Sequence, residues 1–362
     1  MSNKSRNLYI DVMKGLLIIL VVIGHLPYFD YDSRTLTLIY SFHMHSFLII
    51  GGLLSHVDDS TKFWKTIIRR ISGTLIPYFI FYIISFLIVK TRDFEHLKKA
   101  IFVVFRGIGD PVNAINLPLW FLTFYFVTMT VFECIEILSH KIKNLIFKNS
   151  LYLKRGFVFF LDLIFVAIIM YLSFYYGRIY KGARLPFNAE IAGFCLGFVY
   201  FGKLLGYYIP LTLSEIKKST LLKVLFTIIC ILITLTFTLI WYVFSMRNGR
   251  IDLNARDYKN ALYMYIDAII GFVLFSFFSY IVTKLPLINK IIGSIGENSI
   301  YILAYHVPST IITYGYVLPI LPAVVGTKLS SNSLYSVMLL TSFGIFWSLI
   351  MALIHKSLSF RR

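Results

Sequence analysis

From one end of this chain to the other, apolar runs near 20 residues long keep returning. Each is enough to cross about 30 Å of hydrocarbon. A water-soluble core has no need of such runs. Hydrophobic residues make up 58% of the 362 and charged ones 14%, well below the roughly 25% charged share of a soluble domain. Backbone groups inside a bilayer must be paired within their own segment, so the runs are helices. The expectation is an all-α polytopic membrane protein with about ten transmembrane helices in a single domain, 1–362, with no appended soluble domain. The spans fall at about 8–27, 36–55, 73–90, 117–139, 156–176, 188–209, 220–243, 262–283, 298–318 and 333–355. The first run lacks a small-residue cleavage site and continues Pro27-Tyr28-Phe29, so it stays as a helix.

The net charge of +18 does not point to nucleic acid. Lys and Arg fall mainly in the short connections between apolar runs, where they set topology and meet anionic headgroups. With the N-terminus inside, the inner connections carry the larger share of them, which predicts N-in and C-in and a multi-pass place in the plasma membrane. Cys134, Cys195 and Cys230 all lie within apolar runs and have no metal-type spacing. No metal is expected.

Three groups in the first run are ones that lipid rejects: Asp11, Lys14 and His25. An ionisable side chain at bilayer depth costs at least about 2.5–3.5 kcal/mol, so it faces protein or water. On a helix His25 lies about 20° round the axis from Lys14, and Asp11 about 60°. The three share one polar stripe, with Lys14 and His25 about 16 Å apart along it. One group sits toward each side of the membrane. His25 can act as a general base near neutral pH or take a group covalently. Asp11 and Lys14 either neutralise each other as helical neighbours or take part directly.

Tyr9-Ile10-Asp11, Lys14-Gly15 and Val21-Val22-Ile23-Gly24-His25 resemble the start of the membrane-bound acyltransferase 3 family. These are multi-pass O-acyltransferases that decorate bacterial surface polysaccharides. Their hallmark is Arg or Lys, ten residues, then His, which Lys14 and His25 meet. Further landmarks follow in family order. Phe42-His43-Met44, with Phe47 and Gly51-Gly52, is one, although His45 stands where the family commonly has Pro. Leu75-Ile76-Pro77-Tyr78, Trp120-Phe121-Leu122, Leu185-Pro186-Phe187 and Gly296-Glu297-Asn298-Ser299 with His306 are the others. The resemblance covers essentially the whole chain.

It implies transfer of an acyl group, most simply acetyl from acetyl-CoA, to a hydroxyl of an extracytoplasmic or lipid-linked glycan such as capsule, exopolysaccharide or O-antigen. Arg69 and Arg70, in the basic amphipathic stretch 62–70, would clamp the phosphates of the acyl-CoA; the alternative is contact with anionic lipid. His43 is a candidate for the acceptor site, or a helix-to-helix hydrogen bond. His43 and His45 are about 200° apart on a helix, so both cannot face His25. Trp120 is either an interfacial anchor or a platform for a sugar. Glu190 is a polar wall of the acceptor pocket or a surface partner of Arg184. Asn298 sits where a helix N-cap would, and His306 reads as structural. Asp162 has no evident partner, and Glu133 and Glu136 would snorkel or pair with loop lysines. Two other classes use the same ingredients: a transporter of lipid-linked sugars, and a non-catalytic subunit of a polysaccharide synthase.

Overall fold

The computed structural model describes residues 7–26, 33–88, 93–147, 153–179, 183–216, 220–312 and 334–359. The expected span ends at 27, 89–90 and 313–318, and the start at 333, lie outside them. Among the described residues every element is helical, apart from a single bridge between Asp252 and Asp257. In chain order these are α1 (Leu8–Gly24), α2 (Arg34–Leu53), α3 (Phe63–Arg70), α4 (Ile76–Ile88), α5 (Phe94–Arg106), α6 (Trp120–Ile146) and α7 (Leu153–Ile179). There follow α8 (Ala189–Phe194), α9 (Leu196–Ile216), α10 (Thr220–Asn248), α11 (Ala261–Thr283), α12 (Ile288–Glu297), α13 (Ser299–Ile312) and α14 (Leu334–Ser359). Among the described residues six helices are long and apolar enough to cross a membrane, seven if the bent pair α8–α9 is one span.

Caps fix where the helices start. Asn7 accepts from the Tyr9 amide at 3.1 Å, Ser33 from Leu36 at 3.3 Å and Asp93 from His96 at 2.7 Å, each satisfying a first-turn N–H. At the other end of α5, Gly107 takes the left-handed conformation that closes a helix. The basic stretch and the third span are not separate. A π-helical turn, Ile71–Leu75, joins α3 to α4, so the segment 63–88 runs as one helix. The expected sixth span is instead broken, with α8 and α9 meeting at 58° around Cys195.

α1 is the centre of the bundle, in contact with α2, α11, α12, α13 and α14. Its closest approach is to α12. A Cβ at Gly15 would overlap the carbonyl of Ile292, and one at Gly296 the carbonyl of Asp11. α2 meets α9 in the same way, through Gly52 against Val199 and Gly202 against Ile49. Small residues that let backbones touch are the usual adhesive where lipid removes the hydrophobic drive.

At the end of the bundle where α1 begins, the near end, buried charges tie helices together. Lys203 of α9 reaches Asp162 of α7 at 2.6 Å and Glu136 of α6 at 2.7 Å. Glu136 also accepts from Ser55 at 2.9 Å. Asp162 therefore has a partner after all, one that sequence separation hid. In the loop after α2, Asp59 is clamped by Lys143 at 2.6 Å, by His140 and by Asn144. The Lys143 ammonium, more than the other two, pulls the Asp59 carboxyl down to about 2.

Candidate active site

The polar stripe of α1 divides in two. Asp11 is buried and pairs with Lys14 at 3.1 Å near the start of the helix. His25 stands at the opposite end, capping α1 at the far end of the bundle. There the fold brings together residues from four elements. The His25 ring meets that of His306, on α13, edge to face at 5.0 Å. His43, on α2, packs against Tyr40 at 4.9 Å and lies within electrostatic reach of His25. The Tyr40 hydroxyl donates to the Gly24 carbonyl at 3.2 Å, bracing the turn that carries His25.

All three histidines are held in the same way. The Nδ1 of His25 faces the Val21 carbonyl at 2.8 Å, that of His43 the Ile39 carbonyl at 2.6 Å, and that of His306 the Ile302 carbonyl at 2.9 Å. A carbonyl can only accept, so each Nδ1 carries the proton and each Nε2 keeps its lone pair. His25 is partly exposed while His43 and His306 are buried. A neutral imidazole that donates from Nδ1 has an Nε2 lone pair left, the form a general base requires. His306 thus belongs beside His25, and its Nδ1 bonds back into its own helix.

Two members of this site, Tyr40 and Arg250, belong to no motif. Arg250 lies with its guanidinium 4.2 Å over the Tyr40 ring, and it acts electrostatically on both His25 and His43. It sits in the connection from α10 to α11, a stretch that sequence alone presents as one more charged loop. The only hint was that Arg250 follows Gly249, whose φ of 75° needs glycine.

The other expected site residues go elsewhere. Trp120 is buried and packs on Phe121 and Phe124, which leaves no open ring face for a sugar. Glu190 accepts from the Leu185 amide at 3.1 Å and lies 3.8 Å from Arg256. Arg184, its expected partner, instead donates to the Gly109 carbonyl at 2.6 Å. His45 packs on Phe198 at 4.6 Å, and neither ring nitrogen has a hydrogen-bond partner among the described residues. Asn298 lies at the joint of α12 and α13, accepting from Lys356 of α14 at 2.7 Å and donating to Ser294 at 2.8 Å. Its side chain serves a three-helix joint as well as a helix end.

At the near end Arg69 and Arg70 converge on one buried carboxylate. Glu133 accepts from Arg69 at 2.9 Å and from the Nε of Arg70 at 3.0 Å, with a further bond from the Nη2 of Arg70. The two arginines are not equivalent. Arg70 is 18% exposed and Arg69 57%. Glu133 offsets one of their two charges, so the pair keeps a surplus positive charge at the surface. Among the described residues no three His, Cys, Asp or Glu side chains converge as metal ligands.

Long apolar helices with an ion-paired interior define a polytopic membrane protein. The chain belongs to the acyltransferase 3 family: residues 7–354 match the family model for the acyltransferase domain. It is a membrane acyltransferase. No curated protein and no solved structure matches it.

Proposed function

We propose that this acyltransferase takes an acetyl group from cytoplasmic acetyl-CoA and transfers it to a hydroxyl of a glycan on the outer side of the plasma membrane. The observation that carries this reading is the His25 imidazole, held through its Nδ1 by the Val21 carbonyl and partly exposed at the far end of α1. In the reading, the near end is cytoplasmic and the chain crosses ten times, N-in and C-in, with α1, α10 and α13 added to the six helices and the bent pair. Capsule, exopolysaccharide and O-antigen sugars, free or lipid-linked, are the acceptors considered.

His25 Nε2 removes the proton of the acceptor hydroxyl as its oxygen attacks the thioester carbon. The C–O bond forms, the carbonyl becomes an oxyanion, and its collapse breaks the C–S bond. The proton on His25 then passes to the departing thiolate, giving coenzyme A and the ester. His43 and His306 flank the imidazole and orient it, with His43 facing the acceptor. Trp120 and Glu190 support the outer wall from behind. The Asp11–Lys14 pair holds the inner part of the path neutral.

The donor phosphates meet the surplus charge on Arg69. Replacing Arg69 with alanine should remove a charge-assisted contact and raise the KM for acetyl-CoA about tenfold or more at unchanged stability. Replacing Arg70 should instead lower thermal stability, because it is the more buried partner of Glu133. Unchanged donor KM in folded Arg69→Ala protein would return this segment to lipid contact.

The test of function is direct. Purified, reconstituted protein is given acetyl-CoA and a lipid-linked or polymeric glycan, and O-acetyl ester is measured. Translocation of a sugar without ester would identify a transporter, and neither activity would identify a scaffold.

A further inference from the structure

Attack on a thioester places negative charge on the carbonyl oxygen, and a site that does this chemistry needs a hydrogen-bond donor aimed at that oxygen. The histidine cluster cannot supply it. His25, His43 and His306 each direct their Nδ1–H to a main-chain carbonyl of their own helix. What each has left is an Nε2 lone pair, which only accepts. Three imidazoles in this state make a base and its surroundings, without an electrophile.

We propose that Arg250 is the oxyanion donor of the transfer site and therefore a catalytic residue. Three observations point to it. Its guanidinium lies over the Tyr40 ring, 4.2 Å from the centroid, and a guanidinium presents five N–H donors in one plane. The Tyr40 ring beneath it packs on His43 at 4.9 Å, and the Tyr40 hydroxyl reaches Gly24, next to His25, at 3.2 Å, so the guanidinium stands beside both histidines. The backbone that carries it is fixed in advance. Gly249 turns the chain out of α10, and Ile251 and Leu253 on the far side of Arg250 are buried. Asp252 and Asp257 exchange both backbone hydrogen bonds at 2.9 Å, and the Asn248 side chain accepts from the Asn260 amide at 2.9 Å across the base of the loop.

Tyr40 does two things in this arrangement. Its hydroxyl braces Gly24 beside the base, and its ring carries the donor. One side chain thereby sets the distance between the two catalytic groups. Asp252 also acts on His25, and its carboxylate accepts from the Ala255 amide at 3.0 Å.

This inference rests on the reading of His25 as general base, so its test must separate the two. Ester formation is measured for wild type, Arg250→Gln, Arg250→Lys, Tyr40→Phe and Tyr40→Leu, with thermal stability recorded on the same samples. For Arg250→Gln the expected result is a kcat about 100- to 1,000-fold lower, with KM for donor and acceptor within about threefold of wild type. Arg250→Lys should recover only part of the rate, since it restores charge without the planar stack. Tyr40→Phe, which keeps the ring, should retain more activity than Tyr40→Leu.

A raised acceptor KM at retained kcat would make Arg250 a binding group for an acidic glycan and overturn the proposal. A loss of activity matched by loss of folded protein would overturn it in favour of a structural role. An active wild type with an unaffected Arg250→Gln removes Arg250 alone. A wild type that forms no ester removes the transfer reading and this inference together.

Discussion

Replacing His25 with alanine is expected to lower turnover at least about 100-fold per folded molecule, the minimum for loss of a general base, while thermal stability stays near wild type. The reason lies in where the ring is. It caps α1 rather than filling the bundle, it is partly exposed, and its one main-chain bond goes to Val21 in its own helix. Its tie to another helix is the edge-to-face ring contact with His306. His306 differs, because it is buried on α13 with its ring against that of His25. His306→Ala should cost both stability and rate, the rate falling by less than for His25→Ala because the base itself remains. Turnover per folded molecule, with unfolding followed on the same samples, separates the two. If His25→Ala retains more than about a tenth of wild-type turnover, the base lies elsewhere.

The second large effect concerns stability. Lys203→Met should destabilise the protein by about 3–5 kcal/mol, the usual result of stranding buried charge. Two buried carboxylates, Glu136 and Asp162, converge on this one ammonium, which is itself 14% exposed. Without it they face each other with only Ser55 to help. The triple change Glu136→Gln, Asp162→Asn and Lys203→Met should recover most of the loss, because removing a whole buried ionic group is often close to neutral. Thermal unfolding in detergent reads both. A Lys203→Met protein with wild-type stability would show that the three groups are not packed together.

The fold was legible wherever one residue type dictates the outcome. Long apolar runs inside a bilayer have no alternative to helices. Within the site, the polar stripe of α1 and the separation of His43 from His45 followed from helix geometry alone. What stayed hidden depends on contacts between distant segments. Nothing local announces that Lys203 answers Asp162, or that Glu133 gathers Arg69 and Arg70, since these pairs are set by which helices become neighbours. The ring contact between His306 and His25 is concealed by their distance along the chain. Trp120 reads from the sequence as an anchor or a sugar platform, and its packing on Phe121 and Phe124 is not visible from its place at a helix mouth. Arg250 lacked any sign beyond a preceding glycine, because its role comes from the tyrosine beneath it.

The glycine contacts between α1 and α12 bear on how a donor is chosen. Main chain rests on main chain at Gly15 and Gly296, so α1 has no room to slide or roll against its neighbour. The interval from the Lys14 level to His25, about 16 Å of helix rise, is therefore a fixed gauge. On the proposed reading the donor spans it, because the helix cannot shorten it. Such an enzyme would select donors by the length of the tether behind the thioester, and a truncated thioester with the same acyl group would present the right chemistry at the wrong depth.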